Sequence, residues 1–237
     1  MDAISIRGLT LSFKQECLFK EFDFSVAQGE WIALLGSSGI GKSTLLRAIA
    51  GLETQAIQQG HIQYQGKIAW LAQQDSLYPW LSVLDNVQLQ QHLSATKTAQ
   101  TQAKARDLLS AVKMSQDLDK PCYQLSGGQR QRVALARTLM QEADIVLMDE
   151  PFSALDAVTK LQLQDLSRQL LAHKTVVLIT HDPQEALRLA DGIYVLQHRP
   201  TQLSARLNPP GFAPRTLNQA TLWQMQQQLF DALKEYC

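Results

Sequence analysis

Short apolar runs separated by glycines form the first part of the chain. Runs of this kind that are rich in β-branched and aromatic residues are typical of strands. Four strands are therefore expected, over residues 3–6, 9–13, 22–26 and 31–35. After Gly36 the apolar positions take the spacing of a helix, which is predicted to end at Gly51.

The later part of the chain alternates between the two patterns. Further strands are expected at residues 61–64, 67–71, 145–148, 175–179 and 193–196. Helices are expected at residues 83–114, 156–173 and 183–190. The runs at 145–148 and 175–179 are uninterrupted, as in strands that are buried on both faces. The order of elements predicts an α/β protein with a parallel sheet, preceded by antiparallel strands.

Composition and charge narrow the classes of function. The 237 residues are 45% hydrophobic and 19% charged, as in a globular domain with its own core. Lys plus Arg and Asp plus Glu each number 22, so we expect no nucleic-acid partner. Cys17, Cys122 and Cys237 lack the spacing of metal ligands and are expected to be reduced thiols. No apolar run approaches the roughly 20 residues of a membrane helix, so a role at a membrane would require docking to another chain.

The strongest motif is a glycine-rich loop between the run at 31–35 and the helix that follows. Its residues are Gly36, Ser37, Ser38, Gly39, Ile40, Gly41, Lys42, Ser43 and Thr44. They match the pattern GxxxxGK[ST] of a P-loop, whose backbone N–H groups surround phosphate oxygens at a helix N-terminus. In such loops the lysine binds the β- and γ-phosphates and the next hydroxyl binds Mg²⁺. The motif predicts a site for ATP and Mg²⁺, with these roles for Lys42 and Ser43.

A second motif supplies carboxylates to the same site. The apolar run 145–148 ends at Asp149 and Glu150. A strand with this ending would place Asp149 beside the bound Mg²⁺. Glu150 points in another direction and is the expected general base for water that attacks the γ-phosphate. Without the P-loop, such a pair would more often be a strand that meets its loop.

Residues 125–137 carry the motif that identifies a family. They begin Leu-Ser-Gly-Gly-Gln, and Ser126 lies 23 residues before Asp149. Small residues at a helix start suit a phosphate cradle, and a serine there suits a helix cap. Between a P-loop and a strand ending in Asp-Glu, this segment resembles the signature of the ABC ATPases. The resemblance covers residues 3–200 and implies a P-loop core with a mixed, largely parallel sheet, an N-terminal antiparallel β-subdomain and an inserted helical subdomain.

The resemblance also implies how a single ABC ATPase domain divides the chain. The nucleotide-binding core would comprise residues 1–82 and 140–200, and the helical signature subdomain residues 83–139. Residues 201–237 would form a C-terminal loop and helix, and the Pro- and Arg-rich segment 197–215 is expected to be a loop. An apolar stripe on the last helix is expected to pack on its own domain, and consists of Leu222, Met225, Leu229, Leu233 and Tyr236.

Further site residues are implied by the resemblance. Phe13 matches the aromatic residue that stacks on adenine, and His181, 31 residues after Glu150, matches the switch histidine that contacts the γ-phosphate. Gln73 matches the glutamine of the Q-loop, which senses the γ-phosphate site, and Gln74 is the adjacent alternative. The implied catalytic residues are Glu150, His181 and Gln73. The implied metal ligands are Ser43, Gln73 and Asp149.

In ABC ATPases the signature loop completes the ATP site of the opposing protomer. The resemblance therefore implies a dimer with a second copy of the chain or with a homologous ATPase. In that dimer, ATP bound to one P-loop would contact the signature of the other chain, which consists of Ser126, Gly127, Gly128 and Gln129. Residues 151–156 match the D-loop, which communicates between the two sites.

Two classes of ABC protein compete. One is a transport motor, and the other is a soluble ABC ATPase that acts in DNA repair or translation. Repair-type members contain a long coiled coil or a zinc module, and ribosome-acting members carry two cores. Here 84 residues separate Lys42 from Ser126, without heptads or cysteine pairs, and the chain has one core. These features favour transport.

A segment after Gln73 narrows the group of transporters. Tyr78, Pro79 and Trp80 begin a stretch that resembles nitrate, sulfonate and taurine importers, a group that includes importers of the thiamine pyrimidine precursor. The turn at 198–200 fits the same group. The resemblance implies permease subunits that dock near residues 73–80, a periplasmic or lipoprotein solute-binding protein that acts indirectly, and a peripheral position on the cytoplasmic face of the inner membrane. The alternative for Trp80 is a half-buried aromatic in a rigid turn.

Overall fold

The computed structural model describes residues 1–14, 16–216 and 220–234. Its strands are β1 (Asp2–Phe13), β2 (Glu16–Ala27), β3 (Trp31–Leu35), β4 (Ile57–Tyr64), β5 (Ile68–Leu71), β6 (Ile145–Asp149), β7 (Thr175–Ile179), β8 (Gly192–Gln197) and β9 (Gln202–Leu203). Its helices are α1 (Lys42–Ile49), α2 (Val83–Val87), α3 (Leu89–Leu93), α4 (Ala99–Ala111), α5 (Gly127–Leu139), α6 (Ala157–Leu170), α7 (Pro183–Leu189) and α8 (Ala220–Lys234). Short 3₁₀ turns cover Thr54–Ala56 and Cys122–Gln124.

A three-stranded antiparallel sheet has β1 at its centre, between β2 and β4. The prediction of separate strands at 3–6 and 9–13 is wrong, because the chain continues through Gly8 as one strand with a register shift between Ile6 and Leu9. Gly8 has a φ of 57°, which costs a glycine little, and its N–H donates to Asp23 Oδ1 at 2.7 Å. Pairing with two neighbours, which a local pattern does not encode, keeps the bulged strand continuous.

The second sheet has six strands in the order β5-β6-β7-β3-β8-β9. Its strands are parallel except β9, which pairs antiparallel with β8 inside the expected loop 197–215. Every residue of β3 and β7 is buried, which explains their uninterrupted apolar sequences. Because the strands are parallel, the P-loop after β3, Asp149 at the end of β6 and Thr180 after β7 lie at one edge of the sheet.

Helices cover both faces of this sheet. On one face, α2, α4 and α5 pack with Trp31 and Val176 in one apolar cluster, and on the other face β1 and β2 pack with α1 in a second. Leu222 and Leu229 of α8 are buried against α7 and β8, so the described part of the C-terminal stripe packs on its own domain as expected. Tyr236 and Cys237 lie outside the described residues.

No helix in the described ranges is long and apolar enough to cross a membrane.

Three helices begin at capping side chains that matter for the site. Ser126 caps α5, Asp156 caps α6 and Asp182 caps α7, each by accepting a backbone N–H of the first turn. Fixed helix starts give the loops before them defined positions.

Candidate functional site

The P-loop connects β3 to α1 and is held from both sides. Gly41 has a φ of 108°, and a Cβ at this position would lie 3.0 Å from Leu18 Cδ2, so only glycine fits. The Lys42 side chain is almost fully buried, and its ammonium donates to the carbonyls of Gly36 at 2.6 Å and Ser37 at 2.9 Å. Burial lowers the pKa of Lys42, and the negative charges of Glu150 and Asp149 act in the opposite direction.

Ser43 and Asp149 meet at the start of α1. The Ser43 hydroxyl donates to Asp149 Oδ1 at 3.0 Å, across 106 positions of sequence. Burial raises the pKa of Asp149, whereas the hydrogen bond from Ser43 lowers it. A divalent cation would favour the ionised carboxylate. The described residues hold no group of three or more His, Cys, Asp or Glu side chains arranged to bind a metal ion by themselves, and Mg²⁺ requires none, since it binds one or two carboxylates together with phosphate and water. This oxygen pair fits Mg²⁺.

The three predicted catalytic side chains meet, because His181 and Gln73 both contact one carboxylate oxygen of Glu150. Glu150 Oε2 lies 3.0 Å from His181 Nδ1 and 3.5 Å from Gln73 Nε2. Glu150 itself has a φ of 47°, an uncommon conformation for this residue, and its N–H donates to Ile179 O at 2.9 Å. The strained turn after β6 thus makes the side chains of Asp149 and Glu150 point in different directions. We call the group formed by Ser43, Gln73, Asp149, Glu150 and His181 the carboxylate corner.

A cavity of about 380 Å³ opens beside this corner. It is lined by Phe13, Glu16, Leu18, Ser38, Gly39, Gly41, Lys42, Ser43, Thr44, Glu150 and Arg199. The exposed ring of Phe13 stands at its edge, as required of an aromatic residue that stacks on a base.

Sequence motifs did not identify the other side of this cavity. The Arg199 guanidinium donates to Gly39 O at 2.9 Å and pairs with the carboxylate of Glu16, which comes from the opposite end of the chain. Leu18 packs against the P-loop through Gly41. These residues belong to no motif with a fixed spacing. The only signal was the Arg-Pro turn at 198–200.

The predicted signature residues lie elsewhere. The N–H of Gln129 donates to Ser126 Oγ at 3.3 Å and Gln129 Oε1 accepts from the N–H of Ser126 at 2.9 Å, which forms a capping box at the start of α5. A Cβ on Gly128 would lie 2.5 Å from Thr159 Cγ2 of α6, so this helix approaches α6 closely. Among the described residues that line the cavity, none belongs to the segment 126–129. The structure therefore does not bring signature and P-loop together within one chain.

Residues 75–82, which follow Gln73, form a rigid segment. Arg130 donates to the carboxylate of Asp75 at 2.8 Å, and Arg137 donates to the carbonyls of Asp75 at 2.6 Å and Ser76 at 2.8 Å. Fully buried Asn86 binds both the N–H and the carbonyl of Tyr78, at 2.8 and 3.0 Å. Two helices thereby fix the backbone of this segment.

On that backbone the aromatic side chains point outward. Trp80 is 70% exposed and packs edge to face with Tyr78, at a centroid distance of 5.4 Å. Tyr123 is also exposed, and its N–H donates to Pro79 O at 3.1 Å. The alternative of a half-buried Trp80 is therefore wrong, because the indole is mostly exposed and the backbone of its segment is held by the side chains of Asn86 and Arg137. We call Tyr78, Trp80 and Tyr123 the aromatic surface.

A P-loop between a parallel strand and a helix, with a carboxylate at the end of the neighbouring strand, defines a P-loop nucleoside triphosphatase. Residues 19–153 match the family model described as ABC transporter, and the chain belongs to this family. The predicted ABC ATPase fold and the predicted ATP-hydrolysing activity are thereby confirmed.

Curated relatives and a solved structure extend this result. An ABC transporter ATP-binding protein of Haemophilus influenzae is 55% identical over 97% of this chain and 98% of its own length. An aliphatic sulfonates import ATP-binding protein of Delftia acidovorans is 42% identical over 82% of this chain and 80% of its own length. The dimeric structure of an ATP-binding cassette in a post-hydrolysis state, bound to ADP and Pi, superposes with a TM-score of 0.75, at 28% identity over 88% of this chain and 100% of that one. The chain is an ABC ATPase with importer-type relatives.

Proposed function

We propose that this chain is the ATP-hydrolysing subunit of an importer and works as one half of a head-to-tail dimer beneath a permease. The observation that carries the proposal is the division of its machinery. The carboxylate corner and the P-loop meet at one cavity, whereas the segment 126–129 caps α5 and does not line that cavity. A signature that does not line the cavity of its own chain could complete the cavity of a second copy.

The chemistry assigned to the corner follows from its geometry. ATP would lie in the cavity with its base on Phe13 and its phosphates against the N–H groups of the P-loop and Lys42. Glu150 would accept the proton of the water that attacks the γ-phosphate. His181, 3.0 Å from that carboxylate, would orient it and contact the γ-phosphate oxygens. Gln73 would report the state of this site to the segment that follows it.

The metal has a defined place in this scheme. Ser43 and Asp149 would hold Mg²⁺, with Gln73 as a third ligand, and the ion would neutralise charge on the β- and γ-phosphates. Because Lys42 is already bonded to two carbonyls of its own loop, ATP would have to replace those contacts with phosphate oxygens. The P-loop would therefore be shaped before ATP binds, and Lys42 would exchange its hydrogen bonds to the loop carbonyls for hydrogen bonds to phosphate.

The aromatic surface is the proposed contact with the permease. Large aromatic residues on a rigid backbone are typical centres of protein interfaces. The surface continues from Gln73, so movement at the γ-phosphate has a short route to it. With a permease and a solute-binding protein, the chain would act at the cytoplasmic face of the inner membrane. The solute would be a small molecule of the sulfonate, taurine or nitrate type, or the thiamine pyrimidine precursor. The 42% identical sulfonate-import relative and a 38% identical taurine-import relative support the first two.

Mixing two inactive variants tests the composite site. In the heterodimer, Lys42→Ala removes the phosphate contact of one cavity, and Ser126→Arg on the other chain blocks the signature that completes that same cavity. When the two variants are mixed, one composite site of the heterodimer keeps both an intact P-loop and an intact signature, so ATPase activity should return. Each variant alone at the same total concentration is the control. Absence of recovery at every ratio, with both variants folded, would contradict a site shared in this way.

Transport of labelled solutes tests the class of cargo. Proteoliposomes or cells that contain the permease should take up one of taurine, alkanesulfonates, nitrate or the thiamine precursor, and Glu150→Gln should abolish that uptake. Uptake that persists in the Glu150→Gln variant would show that this chain does not drive it.

A further inference from the structure

A charged group outside the cavity joins α6 to the loop that carries His181. Lys160 of α6 donates to Asp182 Oδ2 at 2.7 Å, and its ammonium lies 2.6 Å from Glu185 Oε1. The Glu185 side chain is 3% exposed, and its second oxygen accepts from the Thr180 hydroxyl at 2.5 Å. Two carboxylates thus share one ammonium, with Glu185 buried and both Lys160 and Asp182 partly exposed.

The group fixes the residues on both sides of His181. Thr180 precedes the histidine and is bonded to Glu185, and Asp182 follows it and is bonded to Lys160. The N–H of Asp182 also donates to Thr180 Oγ1 at 3.0 Å, which closes the turn around His181. The imidazole itself is 61% exposed, so little packing restrains it. The position of its backbone decides whether Nδ1 reaches Glu150.

Lys160 also lies close to Glu150 in the sequence. The segment 151–156 leaves Glu150 and ends at Asp156, the cap of α6. Lys160 stands one turn further on, and its N–H donates to Asp156 O at 2.9 Å. One ammonium therefore connects the segment that follows the expected base with the loop of the histidine that contacts it.

We propose that Lys160 is a positioning residue that keeps His181 on Glu150 by holding Asp182 and Glu185. The proposal rests on the functions proposed above for Glu150 and His181. Without the ammonium, the two carboxylates would lie uncompensated beside each other, and the Asp182 side chain would be held only by the capping bond from the N–H of Gln184. Asp182 would then shift toward water, because Glu185 is the more deeply buried of the two. The backbone of His181 would follow its neighbour. Misplacement of a catalytic group by about 1 Å can reduce a rate about a hundredfold.

Steady-state and single-turnover ATP hydrolysis by the purified subunit, first with three variants, tests this. Lys160→Met should lower kcat about tenfold or more, with KM and ATP affinity within about twofold of wild type. Lys160→Arg, which keeps the charge and both hydrogen bonds, should restore most of kcat. Lys234→Met, at an exposed lysine that pairs with Asp231 on α8, is the matched control and should have no effect.

The decisive comparison uses the His181→Ala background. If Lys160 acts through His181, Lys160→Met should reduce the residual single-turnover rate of His181→Ala no further. An equal reduction in both backgrounds would overturn the proposal, as would a lowered Tm with unchanged kcat. If Lys160→Met does not fold, Lys160→Gln, which removes the ammonium but keeps a polar side chain, replaces it under the same criteria. Equal rates for wild type and Glu150→Gln would instead contradict the proposed function itself.

Discussion

The carboxylate corner and the aromatic surface are built in opposite ways. In the corner, the functional side chains are bonded to one another, as Ser43 is to Asp149 and His181 is to Glu150. On the aromatic surface the backbone is bonded within the chain, by Asn86 and by Arg137, and the side chains are left exposed. The corner contains Gln73, and Tyr78 and Trp80 of the aromatic surface follow Gln73 in the sequence. On the functions proposed above, the corner would act on ATP, and the aromatic surface would contact a partner protein.

This difference separates the two kinds of mutational effect. A change in the corner should alter the reaction while the domain stays folded, because the corner is small and lies beside a cavity. A change on the aromatic surface should alter neither the fold nor nucleotide binding, because the indole of Trp80 is 70% exposed. The segment beneath that surface should behave in a third way, since buried Asn86 holds it in place.

Glu150→Gln is expected to have the largest effect. Loss of the general base should reduce ATP turnover by about 10²- to 10⁴-fold, while the amide keeps the size of the side chain and nucleotide binding persists. Because ATP is bound and not consumed, the variant should accumulate as an ATP-bound dimer. Size-exclusion chromatography with ATP and Mg²⁺, alongside an ATPase assay, measures both effects. A monomeric variant with normal turnover would remove Glu150 from this role.

Lys42→Ala is expected to act on binding. A charge-assisted hydrogen bond contributes about 1.5–3 kcal/mol, so ATP affinity should fall by about ten- to a hundredfold. The melting temperature without nucleotide should change little, because burial already disfavours the charged ammonium, as the lowered pKa of Lys42 indicates. Calorimetric titration with ATP measures the first effect. Lys20→Ala, at an exposed lysine of β2, is the control, and equal affinities of the two variants would contradict the assignment of the P-loop lysine.

The sequence predicted the corner better than its surroundings. Ser43, Asp149, Glu150 and His181 stand at the ends of strands or in contiguous motifs, and the order of strands in a parallel sheet is sufficient to bring them together. The pairing of Arg199 with Glu16 and that of Lys160 with Glu185 have no such local signature. They depend on how α6 and the hairpin of β1 and β2 are placed, which is a property of tertiary packing.

The exposure of Trp80 could not be predicted from the sequence either. A Tyr-Pro-Trp segment has the same letters whether its indole is packed or free, and only the contacts of Asn86 show that the backbone is supported without it. The continuity of β1 through Gly8 is a similar case, because the bulge is stabilised by pairing with β2 and β4. The division of the chain into subdomains at residues 83 and 139 stays a prediction.

Asn86→Ala is expected to destabilise the domain. The change leaves the N–H and carbonyl of Tyr78 without their buried partner and removes contacts to the carbonyls of Leu81 and Ser82. We expect a loss of about 2–4 kcal/mol in the free energy of unfolding. Denaturant unfolding measures it, with Gln90→Ala at an exposed position of the same region as the control. If the two variants were equally stable, the segment 75–82 would not depend on Asn86 for its position.

Trp80→Ala is expected to have the smallest effect on the isolated chain, and this makes it the sharpest test of the comparison. Its one aromatic contact, with Tyr78, is of a kind that contributes about 0.5–1.5 kcal/mol. Trp31→Ala provides the contrast, since that indole is fully buried and donates to Leu171 O, and truncation of a buried tryptophan costs about 3–5 kcal/mol. Thermal unfolding of both variants, together with ATP affinity, should place Trp80→Ala close to wild type. Co-purification with the permease should nevertheless be weakened, because an exposed tryptophan at the centre of an interface often contributes 2 kcal/mol or more, about thirtyfold in affinity. A large fall in Tm with permease assembly intact would show that Trp80 stabilises the domain and that the aromatic surface is not the docking site.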